Sequence, residues 1–260
     1  MREILEKLAK GLISLDDAEK LLRLLHIAEI GNMARLDVNR ELRKGIAEII
    51  FAEGKTPEDL RKIAVKMLDE TGRVIISRAD KKQIEAIEEA VPSDSIFRAS
   101  DKVGTVVIKK KGFEVDKKGG RIGILAAGTS DIPVAEEAKI VAEEMGCEVV
   151  TAYDVGVAGI HRLLPPLREM IEKDVDVIIA AAGREGALPS VVSGLVDVPV
   201  IAVPTSVGYG LGEKGVSALM AMLQACSLGL AVVNIDGGVP AAAMAVLIAN
   251  RAAKFRTSSS

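Results

Sequence analysis

Clusters of small and polar residues follow five apolar runs in the second half of the chain, and the first cluster has the composition of an anion site. The segment "AAGTSDIP" supplies a glycine at Gly128, hydroxyls at Thr129 and Ser130, and a carboxylate at Asp131. A helix is predicted to follow, and its first backbone N–H groups suit a phosphate or carboxylate ligand. The Asp131 carboxylate suits a base, or a contact with a metal or a ribose. The competing interpretation is that Ser130 or Asp131 only caps the helix.

The second and third clusters add groups that can transfer protons or pair with an anion. The segment "YDVGVAGIHRLLPPL" contains Asp154, His161 and Arg162. A lone histidine is more often structural than catalytic, but this one lies beside an arginine and two glycines at a predicted strand end. The segment "AAGREGALPSVVSGL" places Glu185 between Gly183 and Gly186. A carboxylate at such a turn is either solvated or poised as a general acid or base.

The last clusters lie on either side of one of the two cysteines. The segment "PTSVGYG" provides hydroxyls at Thr205 and Ser206, and "NIDGG" ends the fifth apolar run. Cys226 comes before the fifth run, so a simple topology places it at the opposite edge of the sheet from that strand's end. It is either a small apolar filler or a nucleophile that reaches a site because the preceding helix is short or a neighbouring subunit supplies it. The sequence has no GxGxxG after the first run, no P-loop and no zinc-ligand spacing, which argues against an ordinary NAD dehydrogenase.

The apolar runs themselves predict the elements that position these clusters. Strands are predicted at "RIGILAAG", "EVVTAYDV", "VDVIIAAAG", "VPVIAVPTS" and "LAVVNID", alternating with helices that start near Ile132, Ala158, Ala187, Glu213 and Val239. Continuous apolar strands have both faces covered, so five such βα units predict a doubly wound parallel sheet. Ligands bind beyond the carboxyl ends of the strands in these sheets, where the polar clusters are expected to meet.

The first part of the chain predicts a smaller α/β domain. Composition changes near residue 118, and the polar stretch "KKKGFEVDKKGG" (109–120) is the best linker candidate. We therefore predict an N-terminal domain over 1–118 and a catalytic domain over 119–256. Within the first domain, Ser14 is a predicted N-cap, residues 47–54 a strand, and Thr56 with Pro57 the start of a helix that ends at Gly72.

Bulk composition excludes several classes of protein. The 260 residues are 49% hydrophobic but only 2% aromatic, which allows a sizeable aliphatic core. The net charge of −3 gives no sign of a nucleic-acid surface. The amphipathic start "MREILEKLAK" is not a signal peptide, and no apolar run is long enough to span a bilayer. Two cysteines make no disulfide framework, so we expect a soluble cytoplasmic protein without a membrane or nucleic-acid partner.

Several of these segments resemble known families. "GTSD", "GIHR", "AAGREGALPSVVSGL", "VPVIAVPTS" and "VVNID" resemble the N5-carboxyaminoimidazole ribonucleotide mutases and AIR carboxylases, which have a flavodoxin-like fold. A closer resemblance covers nearly the whole chain, including "ARLDVNRELRKG", "FAEGKTPEDL" and "ALMAMLQAC", and is to the pyridinium-3,5-biscarboxylic acid mononucleotide synthases. These enzymes act in the biosynthesis of the nickel-pincer nucleotide cofactor of lactate racemase.

The closer resemblance implies a specific reaction. Members carboxylate C5 of the pyridinium ring of nicotinic acid adenine dinucleotide and cleave its phosphoanhydride to release AMP. It implies CO2 or bicarbonate as co-substrate, no tightly bound cofactor, Mg²⁺ as a candidate metal, and a homo-oligomer, expected to be an octamer. The segment "VPAAAMAVLIAN" (239–250), apolar nearly all round, independently indicates a helix buried on several sides.

The resemblance also implies roles for the residues introduced above. Cys226 becomes a covalent nucleophile that adds to C4 of the ring, and Glu185 a proton-transfer group at C5. Asp131 would hold a metal or activate water, with His161 and Arg162 flanking the site. The residues expected to bind substrate are Gly128, Thr129, Ser130, Asp154, Arg162, Gly183, Gly186, Thr205, Ser206, Arg35, Asp37 and Arg40. Without the resemblance, the stretch 35–43 would be interpreted as a solvated helix face.

Three departures from these families bear on the alternatives, and the one at Ala187 speaks against a purine-pathway enzyme. Ala187 stands where the purine enzymes have a histidine, Arg184 where the closer family has methionine, and "GGVPAA" where it has Asn-Gly-Phe-Gly. The alternatives are an enzyme of the purine-pathway mutase or carboxylase type and a non-enzymatic nucleotide-binding protein of the same fold. A binding protein would have no need of a cysteine at position 226.

Overall fold

The chain forms two compact units in a computed structural model that describes residues 2–23, 28–30, 34–100, 103–208 and 210–258. Unit 1 spans Met1–Glu114 and unit 2 spans Val115–Ser260. The division falls inside the stretch 109–120 chosen as the linker and a few residues before the boundary placed at 118.

Unit 1 is a small α/β domain built on a mixed sheet. Its helices are α1 (Arg2–Ala9), α2 (Leu15–Arg23), α3 (Arg40–Lys44), α4 (Pro57–Thr71) and α5 (Lys81–Glu88). Its strands are β1 (Ala28–Ile30), β2 (Ala34–Leu36), β3 (Ile49–Phe51), β4 (Arg73–Ser77), β5 (Ile96–Ser100) and β6 (Thr105–Lys109). Strands β3, β4, β6 and β5 form a sheet in that order, with only β3 and β4 parallel, and β1 pairs with β2.

Helix α4 shows why this domain folds where the sequence predicts. The hydroxyl of Thr56 accepts a hydrogen bond from the backbone N–H of Asp59 at 3.1 Å, and Pro57 occupies the first helical position. Gly72 ends the helix with a left-handed φ of 76°, a conformation that costs glycine little. Between these caps, Leu60 and Met67 are buried in the core over β4. The predicted caps and helix are confirmed.

Unit 2 is the predicted doubly wound domain. Its strands are β7 (Arg121–Ala126), β8 (Glu148–Ala152), β9 (Val177–Ala182), β10 (Val200–Pro204) and β11 (Leu230–Val232). Its helices are α6 (Ile132–Glu144), α7 (Leu164–Glu172), α8 (Leu188–Ser193), α9 (Val216–Leu223) and α10 (Gly238–Ser258). The five strands are all parallel, in the order β11, β10, β9, β7, β8. The predicted fold class is confirmed.

The strand order fixes where a ligand can enter. The chain runs from central β7 out to the edge strand β8, then crosses back to β9 and continues through β10 to β11. Helices α6 and α10 pack together on one face, and α7, α8 and α9 cover the other. The direction of winding therefore reverses between β7 and β9, and a crevice opens beyond their carboxyl ends.

One local prediction was wrong. The helix predicted to start near Ala158 would carry His161 and Arg162 in its first turn, but these residues end a short 3₁₀ helix over Val157–Arg162. Gly159 interrupts that segment with φ −141° and ψ 64°, and helix α7 begins at Leu164.

None of the helices in the described part of the chain is long and apolar enough to cross a bilayer.

Candidate active site

A cavity of about 530 Å³ lies at the carboxyl edge of the unit 2 sheet. The loops after β7 and β8 contribute Ala127, Gly128, Thr129, Ser130, Asp131, Asp154, Gly156, Val157 and Ala158. The end of β9 with its loop, and the loop after β10, contribute Ala182, Gly183, Arg184, Glu185, Ala187, Leu188, Val207 and Gly208. Four polar clusters are therefore brought to one place, as the topology predicts. The segment after β11 is absent from the lining as far as the described residues show it.

The floor of the cavity is built around the buried carboxylate of Asp131. Thr205 Oγ1 donates to Asp131 Oδ1 at 2.5 Å, and the backbone N–H of Gly128 donates to Oδ2 at 2.8 Å. Burial raises the pKa of Asp131, and hydrogen bonds from Thr205 and from the N–H groups of Gly128 and Gly183 oppose that rise. One side chain thereby joins the loops that follow β7, β9 and β10.

Thr205 and Ser206, which follow β10, do not lie where substrate ligands would be expected. Thr205 is fully buried, and its hydroxyl is already engaged by Asp131, so it lies below the cavity surface. Ser206 is exposed but does not line the cavity, and its backbone N–H donates to Asp236 Oδ1 at 2.8 Å. Both hydroxyls were expected to bind substrate oxygens; the structure places the Thr205 hydroxyl on Asp131 instead, and the backbone of Ser206 helps to fix the loop.

Asp131 also departs from the role of a simple helix cap. Its side chain makes no capping hydrogen bond to α6. It accepts instead from the N–H of Gly128 and closes the short 3₁₀ turn Thr129–Asp131. Thr129 and Ser130 remain exposed at the cavity, where their hydroxyls and the start of α6 can meet an anion.

The loop after β8 forms a charged rim. Asp154 has a left-handed φ of 58°, and its Oδ2 accepts a hydrogen bond from Arg162 Nη1 at 2.5 Å. The Arg162 side chain passes over Gly159, where an added Cβ would lie 2.7 Å from Nε, so a larger residue there would have to displace the guanidinium. Arg162 reaches the rim through Asp154 rather than by lining the cavity itself. His161 is exposed and does not line the cavity.

The loop after β9 forms the opposite wall. Gly183 packs so closely that an added Cβ would lie 2.3 Å from the carbonyl oxygen of Val207. Gly186 has φ 63°, and a Cβ there would lie 2.8 Å from the backbone oxygen of Ala218 on α9. These contacts fix the turn that carries Glu185, which is exposed at the cavity.

Cys226 is not brought to this cavity within one chain. It follows α9 and precedes β11, so it lies towards the amino edge of the sheet, where the topology predicts it. Its thiol is exposed, and the hydroxyl of the neighbouring Ser227 donates to the Ser190 carbonyl at 2.7 Å.

The other cysteine has the features of a packing residue. Cys147 is buried, and its Sγ donates to Asn250 Oδ1 at 3.4 Å. Burial raises the pKa of the Cys147 thiol to about 12, so the thiolate is scarce at neutral pH.

Arg35, Asp37 and Arg40 lie in unit 1, on β2, in the turn after it and at the start of α3. Asp37 accepts from Arg43 Nη1 at 3.1 Å, and its backbone N–H donates to Glu48 Oε2 at 2.7 Å. Arg35 and Arg40 are exposed.

The described part of the chain contains no set of side chains that could ligate a metal ion. No three histidine, cysteine, aspartate or glutamate side chains there are grouped to hold an ion. Both oxygens of Asp131, the residue expected to contact a metal, already accept hydrogen bonds. The residues that the structure describes therefore form no metal centre.

The fold and the cavity define an open parallel α/β protein with its site at the switch point of the sheet. Residues 121–258 match the AIR carboxylase family model, and residues 27–110 match the model of the LarB/PurE-like N-terminal domain. The first match covers more than half of the chain, and the chain belongs to the AIR carboxylase family. Together the two domains indicate a carboxylase-type or mutase-type enzyme.

Relatives of two kinds resemble the chain. An uncharacterized protein of Methanocaldococcus jannaschii is 46% identical over 253 residues, 96% of each chain. The N5-carboxyaminoimidazole ribonucleotide mutase of Thermotoga maritima is 30% identical over 130 residues, 48% of this chain and 66% of that protein. The corresponding mutase of Pyrococcus abyssi is 33% identical over 133 residues, 49% of this chain and 72% of that enzyme.

Proposed function

We propose that this protein carboxylates nicotinic acid adenine dinucleotide at C5 of the pyridinium ring. It then cleaves the phosphoanhydride to give pyridinium-3,5-biscarboxylic acid mononucleotide and AMP. This is the reaction implied by the resemblance that extends over both domains, and it is a step towards the nickel-pincer nucleotide. The LarB/PurE-like N-terminal domain beside an AIR carboxylase domain supports it.

The observation that carries the proposal is the apolar wall of the cavity at Ala187 and Leu188. The purine enzymes that the chain resembles have a histidine at the position of Ala187. No histidine is found among the residues described as lining the cavity, and His161 is exposed outside it. A wall of alanine and leucine suits a flat aromatic ring and offers no imidazole for proton relay.

The proposed chemistry begins with a thiolate because C5 of a pyridinium ring is not nucleophilic. The Cys226 thiolate adds to C4, and the ring electrons move towards nitrogen to leave an enamine. The C5 carbon of the enamine then attacks CO2 and forms the new C–C bond. Loss of the C5 proton and expulsion of the thiolate restore the aromatic ring. A thiolate suits this cycle since it is both a strong nucleophile and a good leaving group.

Glu185 is the proposed acceptor of the C5 proton. Its carboxylate is exposed at the cavity on a turn held by Gly183 and Gly186. A base on a fixed turn can be held within reach of one ring carbon. The phosphoanhydride is then cleaved by water, while Thr129, Ser130 and the first N–H groups of α6 bind its anionic oxygens. CO2 or bicarbonate is the co-substrate.

Cys226 requires a second subunit in this proposal. Since it lies away from the cavity of its own chain, we propose a homo-oligomer in which a neighbouring subunit supplies it. Exposed apolar side chains at Met220, Leu223 and Leu228 surround it along the chain. Such a surface is typical of one that is covered in an assembly. By resemblance the assembly is an octamer.

The deciding experiment is incubation with nicotinic acid adenine dinucleotide and ¹³C-bicarbonate, followed by mass analysis. We expect AMP and a mononucleotide that carries one labelled carboxylate. The absence of both products, with binding of the dinucleotide retained, would indicate a binding protein instead.

A purine-pathway mutase or carboxylase is the second candidate, and the similarity to the two mutases favours it. It predicts interconversion of aminoimidazole ribonucleotide and its carboxylated forms. The same preparation assayed with these ribonucleotides separates the two enzymes. Turnover of the ribonucleotides without turnover of the dinucleotide would decide for the purine reaction.

A further inference from the structure

The charges that line the cavity are unequal. Asp131, Asp154 and Glu185 carry carboxylates, and Arg184 is the only cation among the described lining residues. The carboxylate of Asp154 is paired with Arg162, and that of Asp131 with three hydrogen-bond donors. An anionic ligand that enters this cavity therefore meets a single positive side chain on its wall.

Arg184 is fixed at its base. Its backbone is left-handed, with φ 52°, which is uncommon for a residue with a side chain. Its N–H donates to the Val207 carbonyl at 3.2 Å, and its own carbonyl accepts from Ser217 Oγ at 2.9 Å. The preceding Gly183 is packed against the same Val207 carbonyl. The turn is held from both sides, so the direction in which the Arg184 side chain leaves it is determined by the fold.

We propose that Arg184 is a substrate-binding and specificity-determining residue that holds an anionic group of the dinucleotide. The identity of that ligand rests on the function proposed above, whereas the anion site itself does not. A guanidinium presents two parallel N–H donors that match a carboxylate or a phosphate. The dinucleotide offers both groups, the ring carboxylate and the pyrophosphate.

Binding of three different ligands distinguishes whether Arg184 holds the ring carboxylate or the pyrophosphate. NAD keeps the pyrophosphate and replaces the ring carboxylate with an amide, while inorganic pyrophosphate lacks the ring. If Arg184 holds the ring carboxylate, Arg184→Met weakens the binding of nicotinic acid adenine dinucleotide but not the binding of NAD or pyrophosphate. If Arg184 holds the pyrophosphate, Arg184→Met weakens the binding of all three ligands.

The test is calorimetric titration of wild-type, Arg184→Met, Arg184→Lys and Arg168→Met protein with these three ligands. Arg168→Met is the matched control, because Arg168 is exposed on α7 and does not line the cavity. We expect a loss of affinity of roughly 10- to 100-fold in Arg184→Met, the size expected for hydrogen bonds to a charged group. Lysine should recover only part of it, since it lacks the paired donors. Thermal melting verifies that each variant is folded.

The outcomes for Arg184 and for the proposed function are independent. If wild-type protein forms no carboxylated product but its binding of the dinucleotide or pyrophosphate depends on Arg184, the anion site stands and the reaction fails. If wild-type protein forms product and Arg184→Met binds all three ligands as Arg168→Met does, the reaction stands and the Arg184 proposal is overturned. The Arg184 proposal is also overturned if wild-type protein binds none of the three ligands.

Discussion

Thr205 and Asp131 are 74 positions apart in the sequence and are joined by a buried hydrogen bond of 2.5 Å beneath the cavity. The bond links the end of β10 to the turn after β7. Asp131 also accepts from Gly128 and Gly183, so three loops share one carboxylate. The shape of the cavity floor depends on a pair whose threonine does not line the cavity.

Replacement of Thr205 by valine removes this donor without changing the volume of the side chain much. We expect the free energy of unfolding to fall by about 1–3 kcal/mol, because a buried carboxylate loses one of its donors. Urea denaturation measures the change. Thr205→Ser keeps the hydroxyl and should recover most of the loss in stability. Equal stability of the valine and serine variants would show that the hydrogen bond has no net effect.

Glu185→Gln should keep affinity for the dinucleotide and slow carboxylation. The amide preserves the shape of the side chain on its turn but cannot accept the C5 proton. General acid and base groups contribute on the order of 10²–10⁴-fold to rates. Stopped assays of ¹³C incorporation beside a binding titration test this, and an unchanged rate would make Glu185 a solvated surface residue.

The two cysteines should differ in chemistry. Cys226→Ser should fold and bind the dinucleotide but form no carboxylated product, because an alkoxide is not accessible near pH 7 without a strong base. Cys147→Ser should remain active, with some loss of stability from a buried hydroxyl. Mass spectrometry of wild-type protein trapped with substrate should place an adduct on the Cys226 peptide. Wild-type turnover by Cys226→Ser would contradict the covalent mechanism.

Cys147 should also make stability depend on alkaline pH. Its thiol pKa rises from 9.0 in the unfolded chain to about 12 in the folded one, because the thiol is buried. The unfolded state therefore ionises first, and the stability present below pH 9 is lost as pH rises towards 12. The slope of this contribution approaches about 1.4 kcal/mol per pH unit. Denaturation at pH 8 to 10.5 should show a steeper loss of stability in wild-type protein than in Cys147→Ala, because Tyr153, whose pKa burial also raises, contributes equally to both. Equal slopes would mean that the thiol ionises equally in both states.

The proposed supply of Cys226 by a neighbour can be tested by mixing variants. Cys226→Ser subunits are expected to be inactive alone, and Glu185→Gln subunits to be slowed roughly 10²–10⁴-fold. Oligomers refolded from a mixture should regain part of the activity, since some sites then combine an intact cysteine from one subunit with an intact glutamate from another. Light scattering at micromolar protein should show an oligomer. A monomeric mass, or no recovery on mixing, would rule out a shared site.

The sequence was most informative where a topological rule applies. Continuous apolar strands and their order along the chain predict a parallel sheet, and the clusters at Gly128, Asp154 and Glu185 meet at its carboxyl edge for that reason. The same rule predicts that Cys226 lies towards the other edge. These predictions depend only on the direction in which each strand runs.

The side-chain contacts were less predictable, because they depend on where each chain turns after its strand. Thr205 was expected to face the ligand, but its hydroxyl donates to Asp131 beneath the cavity. His161 ends a 3₁₀ segment that is interrupted at Gly159, and it does not line the cavity. Arg184 was noted only as a departure from the family. Its place between two cavity residues, Gly183 and Glu185, was the available signal for its presence on the wall.

The cavity is built from separate loops that can change independently in sequence. Each wall is carried by a different connection, and the strands that bear them form one shared frame. A substitution at Ala187 alters the face offered to a ring without disturbing the turn at Thr129 and Ser130. Proteins built on this frame can therefore vary the wall that faces the ring while the turn suited to an anion stays the same.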